Sequence, residues 1–189
     1  MRKIILIASL LLASSAALAQ GFFLPVGDKR LREDLTLLVD EGVINLPVNE
    51  WPLARKDVAD ALLSVNAREM QDLALQHALA RVRAAVTPPE DAATWRVREV
   101  SIVAGQPGLL RNEGTLGREN GEITSRGGAT TDRYSINLSA TGVLDPQDGQ
   151  EFRLDGSDVS VRWGNWIFSA NQMDRWWGPG HDGSLILSN

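Results

Sequence analysis

The 189-residue sequence has no cysteine, two histidines and one tyrosine. Without cysteine there is no disulfide, no thiolate metal ligand and no cysteine nucleophile. His77 and His181 alone are too few for an all-histidine metal site. Positive charge is also in short supply. The 24 acidic residues outnumber the 19 Lys and Arg, giving a formal net charge of −5 and a pI near 5.1. No basic cluster forms a phosphate-backbone footprint, so nucleic acid is not an expected partner. No G-x-x-x-x-G-K-[S/T] phosphate loop occurs. Gly183-Ser184 lacks the flanking pattern of a nucleophile elbow. No cofactor is expected. Beyond the first twenty residues there is no apolar run of the length a membrane-spanning helix needs. A transmembrane β-barrel is untouched by that absence, because its strands alternate and carry no hydropathy peak.

What is present begins with a targeting segment. Arg2 and Lys3 precede the apolar run Ile4–Leu12, and Ala17-Leu18-Ala19 forms an A-x-A cleavage site. Residues 1–19 therefore read as a cleavable signal peptide, with a mature chain from Gln20. No cysteine follows the cleavage site, so no lipid anchor is expected.

Residues 20–90 read as a small helical bundle. Asp28 is a plausible N-cap, with Glu33 and Asp34 early in the helix where negative charge suits the dipole. Leu31, Leu35, Leu38 and Val39 recur at helical spacing, and Gly42 stands at the C′ position. Val43–Leu53 is a connector with Pro47 and Pro52, in which Trp51 is expected to pack on the helices. A second helix is expected over about Arg55–Ser64. A third is expected from Asn66, with Glu69 completing a capping box, Leu75, Leu79, Val82 and Val86 as its stripe, and Pro88-Pro89 as its stop. His77 lies off that stripe and should be solvated. So small a bundle needs another surface to lean on.

From Trp95 the period changes from helical to two. Trp95, Val97 and Glu99 are expected on one face, with Arg96, Arg98 and Val100 on the other. The polar stretch Arg111–Arg133 carries five glycines and reads as one or two short strands with turns. Tyr134, Ile136, Leu138 and Ala140 alternate with Ser135, Asn137, Ser139 and Thr141 in the clearest strand of the chain. Asp145–Gly149 is a turn. Apolar residues then change parity between Phe152/Leu154 and Val159/Val161/Trp163, which points to a bulge near Gly156. Gly164-Asn165 is a two-residue hairpin turn. Residues 91–189 thus read as antiparallel strands with one apolar and one polar face. A membrane-barrel wall and a soluble β-sandwich share that pattern.

The last 27 residues hold four of the six tryptophans. Asp174-Arg175-Trp176-Trp177 and His181-Asp182 bring together acids, a base, a histidine and two indoles. A glycosidase needs two carboxylates at a set separation; Asp174 and Asp182 are the pair such a reading would use, at a distance the sequence does not give. Indoles with neighbouring charges are also what a sugar-binding surface uses. A purely structural role for the tryptophans, in a wall or at a membrane interface, is a third reading. Leu185-Ile186-Leu187 starts a strand with no strand after it, so the chain reads as the front of a longer protein.

The segment Asp174–Asn189 resembles the signature of the Wzi capsule-assembly family of outer-membrane proteins. Leu24–Arg32, Asp40-Glu41-Gly42-Val43-Ile44, Trp51-Pro52-Leu53, Leu110-Arg111-Asn112 and Gly114–Arg118 agree with it in order. The resemblance covers the whole mature chain. It implies an α+β chain: a periplasmic helical bundle, then the first antiparallel strands of an outer-membrane β-barrel that is incomplete here. It implies a lectin-like, non-enzymatic protein that helps attach capsular polysaccharide to the cell surface, with polysaccharide (or another surface glycan) and outer-membrane lipid as partners. Asp174, Arg175, Trp176, Trp177 and His181 are the candidate glycan contacts. A porin with a helical plug and a polysaccharide-processing enzyme are the rival functions.

Overall fold

A computed structural model describes residues 21–67, 70–88, 92–104, 119 and 121–180. The signal segment, Glu69, most of the glycine-rich stretch before Gly121, and the residues from His181 onward lie outside the described residues.

Helix α1 spans Lys29–Asp40. The Asp28 carboxylate accepts from the Leu31 N–H at 3.0 Å and caps it, as expected. At the other end Gly42 takes φ +68°, the left-handed conformation that glycine adopts without penalty. The Gly42 N–H donates to Val39 O (3.0 Å) and the Val43 N–H to Leu38 O (2.9 Å), closing the helix end. The first turn carries no acid. Glu33 and Asp34 fall one turn too late to serve the dipole. Asp34 instead receives both Nε and Nη2 of Arg81 at 2.6 Å, which clamps α1 to α3.

Helix α2 is shorter than its apolar pattern suggests, Arg55–Ala61, and passes into a turn through Ser64. Helix α3 spans Leu73–Val86. Its cap is Asp72, which accepts from the Ala74 N–H at 2.6 Å, so the helix does not start at Asn66. The chain is non-helical from Met70 to Asp72, immediately ahead of the helix that Asp72 caps. Leu79, Val82 and Val86 are buried as expected, and His77 is exposed. Two short pairings frame the bundle: β1 (Phe23–Leu24) with β3 (Leu53–Ala54), and β2 (Glu50–Trp51) with β10 (Trp176–Trp177). The core gathers Leu24, Leu35, Leu38, Trp51, Val58, Leu79 and Val82 from the bundle, and Trp176 from the far end of the described chain.

The rest is one antiparallel sheet in the order β4 (Arg96–Ala104), β5 (Gly121–Thr130), β6 (Tyr134–Leu144), β8 (Asp158–Trp163), β9 (Trp166–Asn171). The short β7 (Phe152–Arg153) pairs with the end of β6. Neighbours in the sheet are consecutive in sequence, so the topology is an up-and-down meander. Gly164, at φ +60°, turns the β8–β9 hairpin.

Two irregularities set the facing of the side chains. In β4 the register slips by one residue between Val97 and Glu99, leaving Arg98 as the extra residue. Val97, Val100 and Ile102 are therefore all exposed, while Glu99 turns to the opposite face and meets Arg126 Nη1 at 2.7 Å. Strict alternation had put Val97 and Glu99 together; the bulge separates the apolar from the charged side chain. The second slip lies between β7 and β8, where residues 154–157 oppose 138–140 of β6. Ser157 Oγ fills the broken ladder, accepting from the Ser139 N–H (3.0 Å) and donating to Ser139 O (3.2 Å). This is the bulge expected near Gly156, and it keeps Phe152 and Val159 on one face despite their different parity.

The resulting sheet is inverted relative to a soluble protein. Ile102, Ile123, Ile136, Leu138, Val159, Val161 and Phe168 are exposed. Glu122, Thr124, Ser135, Ser139, Asp158 and Ser160 are buried. Buried polar groups need partners, and most of these have them: Thr124 bonds Thr141 (2.9 Å), Asp158 accepts from Asn137 (2.6 Å), and Ser160 bonds Asp158 and Ser169 (2.9 Å each); Ser139 Oγ has none among the described residues.

The α1–α3 clamp has unequal halves, because Asp34 is buried and Arg81 is partly exposed. Arg81→Ala strands a buried carboxylate and should cost about 3 kcal/mol. Asp34→Asn leaves an arginine that water can reach and should cost about 1 kcal/mol. Urea unfolding of the two variants, followed by tryptophan fluorescence, checks that order.

Candidate functional site

The tryptophan-rich segment begins where β9 ends. The Gln172 N–H donates to Ser157 O and the Gly156 N–H to Gln172 O, both at 2.8 Å, and these are the last rungs to the sheet. The chain then leaves the sheet and pairs with the bundle. Trp176 stands opposite Trp51 and Trp177 opposite Glu50, and the Gly178 N–H donates to Asn49 O at 2.9 Å. Gly178 has φ +117°, where a side chain would be strained.

Alternation along a strand sends the two adjacent indoles opposite ways. Trp176 is 3% exposed and Trp177 46%. The Trp176 ring carries the Arg32 guanidinium 5.5 Å from its centroid, a cation–π geometry. Its Nε1–H donates to Gly180 O at 2.9 Å. Arg32, itself 2% exposed, donates through Nη2 to Gly178 O (2.8 Å) and Gly180 O (3.1 Å). Trp51, 2% exposed, donates its Nε1–H to Val48 O at 2.9 Å. One buried arginine thus holds the Gly-Pro-Gly turn, and two indoles hold the strand beside it.

Of the five candidate glycan contacts, the structure puts Trp176 in the core of the bundle. Its ring is covered by Arg32 and its N–H is already used, so no face of it is open for a sugar to stack on. Trp177 and Arg175 lie at the surface and Asp174 is half-buried. His181, and Asp182 with it, lie outside the described residues. A groove lined by Arg32, Glu33, Thr36, Asp40, Asn49 and Pro179 runs beside the turn. Among the described residues, no group of His, Asp and Glu is arranged to hold a metal ion.

Sequence reasoning did not single out Arg32. Its signal was available: it shares a helix face with Leu35 and Val39, at i+3 and i+7. A charge placed on an apolar stripe needs a partner from elsewhere in the fold.

Comparison with known proteins agrees with this architecture. Residues 97–189 match the family described as capsule assembly protein Wzi. The β-region of this chain belongs to the Wzi family. The chain is 30% identical over 179 residues to an uncharacterised 55.8 kDa protein in the cps region of Klebsiella pneumoniae, covering 93% of this chain and 34% of that protein. It is also similar to the solved structure of Escherichia coli Wzi, described as an outer-membrane protein involved in group 1 capsule assembly and a carbohydrate-binding β-barrel. That likeness has a TM-score of 0.68 at 27% identity, over 86% of this chain and 36% of that one. The chain therefore spans about a third of the length of the two proteins it matches.

Arg32→Gln removes the fork under the Gly-Pro-Gly turn: Gly178 O loses that donor and Gly180 O keeps only the Trp176 Nε1–H. A destabilisation of about 1–3 kcal/mol is expected. Limited proteolysis of the variant should cut first between Arg175 and Gly180, and Trp176 emission should shift to the red as the ring meets water.

Proposed function

We propose that this chain supplies the helical bundle and the first wall strands of an outer-membrane, carbohydrate-binding protein that helps hold capsular polysaccharide at the cell surface. The observation that carries this reading is the inverted sheet. An apolar face left open beside a buried, hydrogen-bonded polar face is stable where hydrocarbon covers the first and protein or lumen the second. A β-sandwich would bury the apolar face. The carbohydrate ligand and the capsule role are carried over from the Wzi likeness.

The exposed aromatics support an orientation. Trp163 and Trp166 face each other across the Gly164-Asn165 turn, and Tyr134 follows the neighbouring turn at 131–133. Trp95 enters β4 at the same end, within 3.3 Å of the position a Cβ on Gly127 would take. Tryptophan and tyrosine collect at the membrane–water interface, and short turns mark the periplasmic side of such barrels. We place this end at the periplasmic interface. The leader of the bundle meets the sheet near the same end, where Arg162 stands 5.6 Å from the centroid of the Phe22 ring. The bundle is accordingly assigned to the periplasmic side, with residues 1–19 as the export signal. It covers part of the polar face, which favours a binding protein over an open channel.

For the glycan itself we propose Arg175, Trp177, Asp174 and His181 as the contacts, and assign Trp176 to the scaffold. The role is one of binding, with no bond made or broken.

Leu138→Arg puts a charge on the outward face near mid-strand. In the intact protein it should cost about 2–4 kcal/mol of folding into lipid bilayers, read from denaturant titrations in vesicles. A cost near zero would sink the barrel-wall reading. Trp177→Ala should weaken binding of purified capsular polysaccharide about tenfold, or ~1.4 kcal/mol, while the variant folds normally. In cells it should move capsule from the cell-bound to the released fraction.

A further inference from the structure

The inner face of the sheet holds a second constellation that neither the Gly-Pro-Gly turn nor the tryptophans use. It lies where the leader of the bundle meets the wall. A Cβ on Gly21 would stand 2.5 Å from Asn137 Nδ2, so the leader passes directly over Asn137. The next residue, Phe22, accepts the backbone N–H of Arg55 at 2.8 Å, which fixes the start of α2 at the same place. From the wall side, Arg98 donates Nη1 to Asn137 Oδ1 at 2.8 Å. Gly128 makes room for it: a Cβ there would fall 2.7 Å from Arg98 Nη2 and 2.4 Å from Ile136 O. The bulge in β4 is what turns Arg98 to this face.

Two guanidiniums therefore meet at one junction, and they are poorly matched with acceptors. Nε and Nη2 of Arg55, and Nε and Nη2 of Arg98, are shielded from solvent and donate to no acceptor among the described residues. The nearby acid is Asp158. Its two oxygens accept from Asn137 Nδ2 (2.6 Å) and Ser160 Oγ (2.9 Å), and among the described residues it forms no ion pair with either arginine. Burial, and then the positive charge of Arg98, lower the Arg55 pKa to about 10. Both arginines stay charged at neutral pH. A guanidinium is a planar fork of N–H donors whose geometry matches a carboxylate bidentately. Buried charges in proteins are paired or hydrogen-bonded. Two cations beside one carboxylate leave a single positive charge, which suits a monoanion better than a dianion such as phosphate.

We propose that Arg55 and Arg98, with Asn137 as the positioning residue, form a carboxylate-binding site between the bundle and the inner face of the sheet. The ligand class is a monocarboxylate, with the carboxylate of a uronic acid as its sugar form. The site rests on side-chain geometry alone and does not depend on the capsule reading.

The test uses the intact protein folded in detergent. Its thermal midpoint is followed against sodium acetate, sodium glucuronate, glucose and inorganic phosphate at matched ionic strength. Acetate or glucuronate should raise the midpoint saturably, while glucose leaves it unchanged and phosphate acts more weakly. A response to acetate alone assigns a small carboxylate; a response to both opens the site to a uronate. In Arg98→Gln the apparent affinity should fall at least tenfold. Arg98→Lys keeps the charge but not the fork, and should also bind more weakly. Heat-modifiable gel mobility verifies that each variant is folded, and Arg55→Gln replaces Arg98→Gln if the latter is not. The proposal is overturned if neither carboxylate gives a saturable response, if phosphate matches or exceeds them, or if folded variants respond like the parent protein.

Discussion

A single buried guanidinium, that of Arg32, joins the two halves of this chain. It leaves α1, stacks on the indole of Trp176, and bonds the carbonyls of Gly178 and Gly180. The bundle has helices of 12, 7 and 14 residues, too little to bury a self-sufficient core. It closes that core by taking in Trp176, a residue 90 positions beyond the end of α3. A tryptophan flanked by glycines and proline can be inserted in this way because the turn brings bare backbone close to the helix. The cation then gives Gly178 O a donor, and gives Gly180 O a second one beside the Trp176 Nε1–H.

The sheet answers to a different constraint. Its outward side chains are apolar and its inward ones polar, and the sheet preserves that division through two register slips. The bulge at Arg98 turns Glu99 and Arg98 away from Val97 and Val100. The bulge after Leu154 keeps Phe152 and Val159 on one face although their numbers differ in parity. Each bulge costs a ladder rung; at the second, Ser157 replaces the lost bonds with its hydroxyl. The pattern of exposure in the sheet is thus held by irregularities as much as by alternation. Those irregularities also deliver the interior arginine against the leader of the bundle.

Adjacent residues in one motif end in opposite environments. Trp176 is part of a packed core and Trp177 is at the surface, because successive side chains of a strand point to opposite faces. A motif rich in indoles and charges is therefore not a single site. One indole carries architecture, and the other is left to meet whatever lies outside.

Much of this was legible in the sequence. The cap at Asp28, the glycine at 42, the stripe on α1, the long strand from Tyr134, the parity change near Gly156 and the Gly164-Asn165 turn are local patterns, and local physics determines them. The start of α3 was not legible, because Asn66 and Asp72 are both acceptable caps and the choice depends on where the chain must lie. The facing of Val97 and Glu99 was not legible either, since one inserted residue reverses parity without changing composition. The sequence by itself determined the element types, the change from helical to two-residue period, and the presence of one apolar and one polar face. Only the tertiary structure decided which face is covered, that Trp176 belongs to the helices, that Arg32 is buried, and that Arg55 and Arg98 are half-buried. The physical reason is range: propensity and periodicity act over a few residues, whereas burial depends on partners more than a hundred positions apart.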